Sequence, residues 1–327
     1  MRTITLEEHY ASPAYQDGPG RPMREQAKNF GSNSAVSKLF EQLSDVGDGR
    51  VAEMDAAGID LQVLSLTSPG VEQLEPAEAV SLAHDSNDFL AQAVRQHPGR
   101  LAGFAAVPTA APEAAAAELE RAVRELGLKG ALINGHARGR YLDDPFFWPI
   151  LERAEALGVP LYLHPTPPPQ PVIAASYTGH FSPQVTYGLA AAAWGWHIET
   201  AIHVLRLALG GAFDRYPALQ IIIGHLGEGL PFMLPRLNLG LAMPVTKLQR
   251  PMGDYLRQNV HYTISGFNYT PAFLCLLLEV GVERIMFSAD YPFSAMAQAR
   301  AFLDQLPVSP ADRERITHGN AERLLGL

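Results

Sequence analysis

Cysteine is almost missing from this 327-residue chain, in which Cys275 stands alone. One thiol excludes an internal disulfide and a cysteine-rich zinc cluster, so any metal must be held by imidazole and carboxylate. Within Phe-Leu-Cys-Leu-Leu-Leu, Cys275 reads as a small buried apolar residue. Clusters of lysine and arginine are also absent. The net charge of −9 and a pI near 5.6 argue against nucleic acid or anionic lipid as the main partner. No apolar run approaches the roughly 20 residues of a membrane-spanning helix, and the opening Met-Arg-Thr-Ile-Thr-Leu-Glu-Glu-His turns acidic before a signal-type core can form. The expectation is a cytoplasmic protein. Gly-x-Gly-x-x-Gly and P-loop patterns are missing too, and with them the common nucleotide-binding fingerprints.

What is present is a repeated alternation. With 47% apolar residues the chain can bury a large core as one domain spanning 1–327. Eight short runs rich in apolar and β-branched residues fall at 3–9, 61–67, 101–107, 130–135, 160–164, 219–225, 260–266 and 284–290. Helical stretches separate them, at 87–96, 112–126, 145–157, 200–209 and 271–280, with two more near the end. Pro112, Pro145 and Pro271 suit a first helical turn, and Gly127, Gly158 and Gly281 suit a left-handed cap. The alternation predicts an α/β fold, a (β/α)8 TIM barrel of parallel strands covered on both faces. Two long segments break the rhythm, 11–33 and 166–194, and read as long loops after strands one and five that roof a pocket or meet another subunit.

Candidate ligands stand where the apolar runs stop. Glu7 and His9 are two apart on a strand and point to one side, with Glu8 pointing to the other. His164 ends the fifth run, His225 the sixth with Glu228 just beyond it, and Asp290 the eighth. Singly, each has a plainer reading: solvated edge carboxylates, a hydrogen-bonded structural histidine, a turn-starting aspartate. Jointly, they occupy the strand ends that a barrel gathers at one face. Two carboxylates and two imidazoles, Glu7, His9, His164 and Asp290, balance one divalent ion, with zinc or manganese both compatible. Tyr10, Phe232 and Phe293 adjoin these positions and could form an aromatic slot or pack in the core. Of the other histidines, His136 and His180 are pocket candidates, while His84, His97, His197, His203, His261 and His318 read as structural or exposed.

The sequence Leu-Glu-Glu-His, then Leu-His-Pro, then Ile-Ile-Gly-His-Leu-Gly-Glu-Gly-Leu-Pro-Phe, then Phe-Ser-Ala-Asp-Tyr-Pro-Phe resembles the decarboxylase branch of the amidohydrolase superfamily, and within it the γ-resorcylate and dihydroxybenzoate decarboxylases. The likeness runs through nearly the whole chain, including Asn134-Gly135-His136. It implies Glu7, His9, His164 and Asp290 as ligands of one catalytic ion, His225 and Glu228 as a hydrogen-bonded pair beside it, and Arg236 as a substrate contact. It also implies a homodimer or homotetramer. Hydrolytic members usually open with His-x-His and carry a carboxylated lysine bridging a second ion at strand four. Here the opening is Glu-x-His, and the lysine nearest strand four, Lys129, stands at its wrong end.

The resulting expectation is a divalent-metal-dependent, non-oxidative decarboxylase of a small ortho-hydroxylated aromatic carboxylic acid, with Asp290, His225 and Glu228 as acid-base groups and Phe293 against the substrate. The rival class is a hydrolase of a lactone, ester or amide in which the ion activates water. A catalytically silent barrel that binds a metal or a partner is the third reading.

Overall fold

The computed structural model describes residues 1–30 and 34–327, so 31–33 of the first long segment lie outside the described residues. Its strands are β1 (Ile4–Tyr10), β2 (Leu61–Leu66), β3 (Leu101–Gly103), β4 (Ala105–Ala106), β5 (Ala131–Asn134), β6 (Leu161–His164), β7 (Ile221–Ile223), β8 (Val260–Thr263) and β9 (Ile285–Met286). Every ladder is parallel and joins strands in chain order. β3 and β4 form one barrel strand interrupted at Phe104. The Phe104 N–H donates back to Leu64 O of β2 at 2.8 Å, and the Ala105 N–H donates forward to Gly130 O at 2.8 Å. The eight sequence-predicted strands are therefore all present.

No ladder joins β9 to β1 among the described residues. Two side chains and a single backbone hydrogen bond close that seam instead. The Glu7 N–H donates to Ser288 Oγ at 2.8 Å, and the His9 N–H donates to Tyr291 O at 2.7 Å. The fully buried Glu8 carboxylate accepts from Ala289 N at 2.9 Å and Tyr291 N at 3.2 Å. Burial pushes the Glu8 pKa up to about 8, against the pull of those N–H donors.

β1 contains the feature that sets up the site. Ile4 and Leu6 both pack with Val63, Phe104, Leu132, Tyr162, Ile222 and Met286 in the apolar fill of the barrel. Strict alternation would then turn Glu7 outward and Glu8 inward. The β1 to β2 register shifts between Thr5 and Glu8, a bulge that resets the alternation. Leu6 thus completes the apolar layer while Glu7 and His9 enter the mouth above it, and Glu8 is left for the seam.

The two long segments are excursions built from helical turns rather than irregular chain. After β1 come helices Pro13–Asp17, Arg21–Phe30 and Ala35–Ser44, and after β6 come Gln170–Ser176 and Pro183–Ala190. Ser12 and Ser182 start two of them, accepting from Tyr15 N at 3.1 Å and Val185 N at 3.3 Å, each followed by proline at the first helical position. The helix expected from residue 87 begins earlier, as Pro76–Gln96. The polar Ser86-Asn87 pair inside it is buried, and Asn87 exchanges hydrogen bonds with Ala106 of β4 at 2.8 and 2.9 Å. Among the described residues no helix is long and apolar enough to cross a membrane.

Glu8→Ala should leave the Ala289 and Tyr291 N–H groups buried and unpaired, at about 1–3 kcal/mol for each. Its chemical-denaturation midpoint is expected to fall well below that of Glu8→Gln, which keeps an acceptor oxygen. Equal midpoints for the two variants would show that the carboxylate does not hold the seam.

Candidate active site

At the C-terminal mouth of the barrel, ligand atoms of Glu7, His9, His164 and Asp290 all lie within 4.8 Å of one another. His9 Nε2 is 3.3 Å from Asp290 Oδ1, and His164 Nε2 is 3.3 Å from Glu7 Oε1. The two imidazoles meet edge to face with ring centres 4.7 Å apart. Each arrives from a strand end: two from β1, one from β6, and Asp290 from the turn after β9.

Glu7 is fixed on one side and free on the other. Its Oε2 accepts from Tyr162 OH and Ser265 Oγ, both reaching up from the barrel wall. Its Oε1 is buried with no hydrogen-bond partner, as is His9 Nε2. Unpaired buried polar atoms are costly, and donor atoms spaced this way suit one divalent ion bound at about 2.0–2.2 Å. The donor set therefore fits the cation that its chemistry implies. Gly224 makes room for the Glu7 carboxylate, because a Cβ there would lie 2.4 Å from Glu7 Oε2.

Beside this cluster stands a second group in which a carboxylate is shared by two imidazoles. Glu228 Oε1 accepts from His225 Nδ1 at 2.8 Å, and its Oε2 accepts from His197 Nδ1 at 2.5 Å. His225 Nε2 then faces Glu7 Oε1 at 3.7 Å. Burial alone would lower the His225 pKa, but the Glu228 and Glu7 carboxylates outweigh it and raise it to about 10. Burial and the neighbouring Glu7 charge push the Asp290 carboxyl well above the usual carboxylate range. His9 is driven down to about 4 and His164 to about 3, chiefly by burial, which leaves them as neutral imidazoles suited to ligation. His225, Glu228, Ser265 and Asp290 all adopt left-handed backbone, with φ of 51°, 55°, 42° and 63°. Non-glycine residues hold that conformation only where the surroundings over-determine it.

The structure gathers most but not all of the sequence-predicted residues. Phe293 stands at the rim, half exposed, its ring 5.3 Å from His9. Arg236 is not brought to the cluster. It lies exposed midway along helix Leu230–Gly240, and no hydrogen bond or ion pair joins it to the cluster among the described residues. Of the proposed aromatic slot, Tyr10 is buried outside the barrel with its OH donating to Ser86 O at 3.0 Å, and Phe232 is 78% exposed. His180 is exposed, and His136 is buried with Nε2 3.2 Å from Pro167 O. His197 is the residue that sequence reasoning passed over. It enters from the first turn of helix Gly195–Leu209, and no spacing in Trp-Gly-Trp-His announces that it meets Glu228. Phe267 was missed as well, and it stacks edge-on to both His197 and His225 at 5.1 and 5.2 Å.

The chain matches the family model described as amidohydrolase over residues 21–327. It is 39% identical to a gamma-resorcylate decarboxylase from Polaromonas sp. JS666 over 99% of this chain and 98% of that protein. Its fold superimposes on a 2,6-dihydroxybenzoate decarboxylase crystallised with 2,6-dihydroxybenzoate, with a TM-score of 0.89, 36% identity and 100% of each chain covered. A dihydroxybenzoic acid decarboxylase from Polaromonas sp. JS666, solved with manganese and the inhibitor 2-nitroresorcinol, gives a TM-score of 0.89 at 39% identity, covering 100% of this chain and 97% of that one. Matched by its model over almost all its length and by relatives from end to end, this chain belongs to the amidohydrolase family.

Proposed function

We propose that the protein is a divalent-metal-dependent, non-oxidative decarboxylase of an ortho-hydroxylated aromatic acid of the hydroxybenzoate type. The observation that carries this reading is the pairing of one four-donor cluster with the hydrogen-bonded His225, Glu228 and His197 group beside it. Glu7, His9, His164 and Asp290 would hold the ion, zinc or manganese. Bound there, the ion would supply a Lewis acid that holds and polarises a chelating ring acid.

The chain's own groups do the rest. Asp290, which must take up a proton during turnover because contact with the ion favours its carboxylate, gives that proton to the ring carbon bearing the carboxylate. The bond to the carboxylate carbon then breaks, its electron pair restores the aromatic ring, and carbon dioxide leaves. His225 returns a proton to Asp290, and Glu228, steadied by His197, holds the imidazolium in place. Phe293 lies against one face of the substrate ring. Because the electron-rich ring accepts the proton itself, no organic cofactor is required.

A hydrolase of the two-metal kind needs a carboxylated lysine to bridge its ions, and the residues speak against one. Lys129, the lysine nearest the fourth barrel strand, bonds Gly326 O at 3.1 Å at the opposite end of the barrel. The second carboxylate-imidazole group engages both oxygens of Glu228 with imidazole N–H donors. One barrel domain spanning the chain would act in the cytoplasm as a homodimer or homotetramer. Ile202, Phe232, Met233 and Leu239 support the assembly, because they expose apolar surface on two neighbouring helices.

A panel of hydroxybenzoates tests the reaction. Manganese-loaded protein is expected to release carbon dioxide from acids with an ortho hydroxyl and to leave acids hydroxylated only at meta or para positions nearly untouched. Equal turnover of 4-hydroxybenzoate would overturn the substrate class, and a carboxylic product from an ester without carbon dioxide would favour the hydrolase. For the proton, Asp290→Asn keeps the size and one oxygen ligand, so it should keep most of its metal and lose about 10²-fold or more in rate. Near-normal ring deuteration by that variant in heavy water would hand the acid's role to His225.

A further inference from the structure

Across the mouth from Asp290, the barrel carries a polar atom that the chain leaves unsatisfied. Asn134 ends β5, in register with His164 at the end of β6. Two residues earlier on the same strands, Leu132 and Tyr162 pack inside the barrel, so alternation sends Asn134 into the mouth on the same face as His164. β5 is the fourth barrel strand and β9 the eighth, so the two are diametrically opposed. Asn134 is 2% exposed, and its Oδ1 has no hydrogen-bond partner.

The orientation of that oxygen is set from behind. Glu72, buried in the turn after β2, accepts from Asn134 N at 2.8 Å and from Val71 N at 2.8 Å, and the Asn134 amide nitrogen packs beside its carboxylate over Gly70. A carboxylate only accepts, so it draws the amide NH2 toward itself and turns the carbonyl into the mouth. Gly70 is required for this packing. At φ 63°, a Cβ would lie 2.3 Å from Glu72 Oε2 and 2.4 Å from Asn134 Nδ2. Ser65, in register with His9 on the neighbouring wall, adds a second buried and unpartnered oxygen.

A buried carbonyl without a donor costs about 1–3 kcal/mol, and the cost is recovered when a ligand brings a hydroxyl to it. We propose that Asn134 Oδ1, aimed by Glu72, is a specificity-determining acceptor for a ring hydroxyl of the substrate other than the one beside the carboxylate that joins the ion. The inference rests on the aromatic-acid reading above. A ring held between the ion and β5 presents its reacting carbon toward Asp290 and a further substituent toward Asn134. A site built to accept from a hydroxyl discriminates strongly against a ligand that lacks it.

The test compares two unreactive ligands that differ by one hydroxyl, 2-nitroresorcinol and 2-nitrophenol. Binding to the manganese-loaded protein is measured by calorimetry at pH 8, with metal content and thermal midpoint checked for each variant. The wild type should prefer 2-nitroresorcinol, and Asn134→Ala should weaken that ligand by about 10- to 100-fold while leaving 2-nitrophenol within about threefold. Glu72→Gln, which keeps the volume but frees the amide to turn, should lose part of the same preference, and it gives the reading should Asn134→Ala not fold. An equal fall for both ligands, or an unchanged preference in a folded variant, overturns the assignment. Wild type that binds both equally overturns it while sparing the decarboxylase reading, whereas wild type that binds neither overturns both.

Discussion

Two carboxylates and two imidazoles are held within 4.8 Å of each other under a mouth that excludes most water, and the surrounding structure is arranged to sustain that crowding. Left to themselves the carboxylates would repel and the imidazoles would find no donors, which is the cost a divalent ion relieves. The bulge in β1 makes the cluster possible by placing Leu6 and Glu7 on the same side of the strand. From outside, Arg50 holds the strand in that shape. It is buried and donates to His9 O at 2.7 Å, to Gln42 O at 2.9 Å and to Asp45 O at 2.6 Å. Glu8 completes the lock by binding the turn that presents Asp290. The ligand strand and the acid-bearing turn are thus one mechanical unit.

The mouth is chemically lopsided, and the lopsidedness orients a planar substrate. On the side of β7 to β9 stand the imidazoles, with His225 and His197 sharing Glu228 and Phe267 packed against both rings. On the side of β2 to β5 stand neutral acceptors, Ser65 and Asn134, with a carboxylate behind them. Titratable groups lie on one flank, and neutral hydrogen-bonding capacity lies on the other.

Much of this was readable in the sequence because strand ends in a barrel carry a simple signature. Glu7, His9, His164, His225 and Asp290 each follow an apolar run, and period-two spacing predicts the shared face of Glu7 and His9. The bulge was not readable, since Leu-Glu-Glu-His fits either register until Ile4 and Leu6 are known to fill the barrel. His197 was hidden because it comes from a helix and meets Glu228 only through tertiary folding. Asn134 was noticed as part of a motif, but its oriented oxygen depends on Glu72, 62 residues earlier in the chain. Three of the helices after β1 and β6 escaped because they are short and start on serine caps, at Ser12, Ser34 and Ser182. Arg236 was placed by resemblance alone, and the helix that bears it carries it away from the cluster within one chain.

The claim on which everything turns is that these four residues hold one ion and that the ion is needed for decarboxylation. Protein stripped by chelation and titrated with manganese, while carbon dioxide release from an ortho-hydroxylated benzoate that it turns over is followed, tests it most directly. Activity should rise from near zero and break at about one equivalent per chain, and His164→Ala should show no such break. Full activity in the stripped protein, a break at two equivalents, or an unaltered titration in the His164 variant would contradict the account.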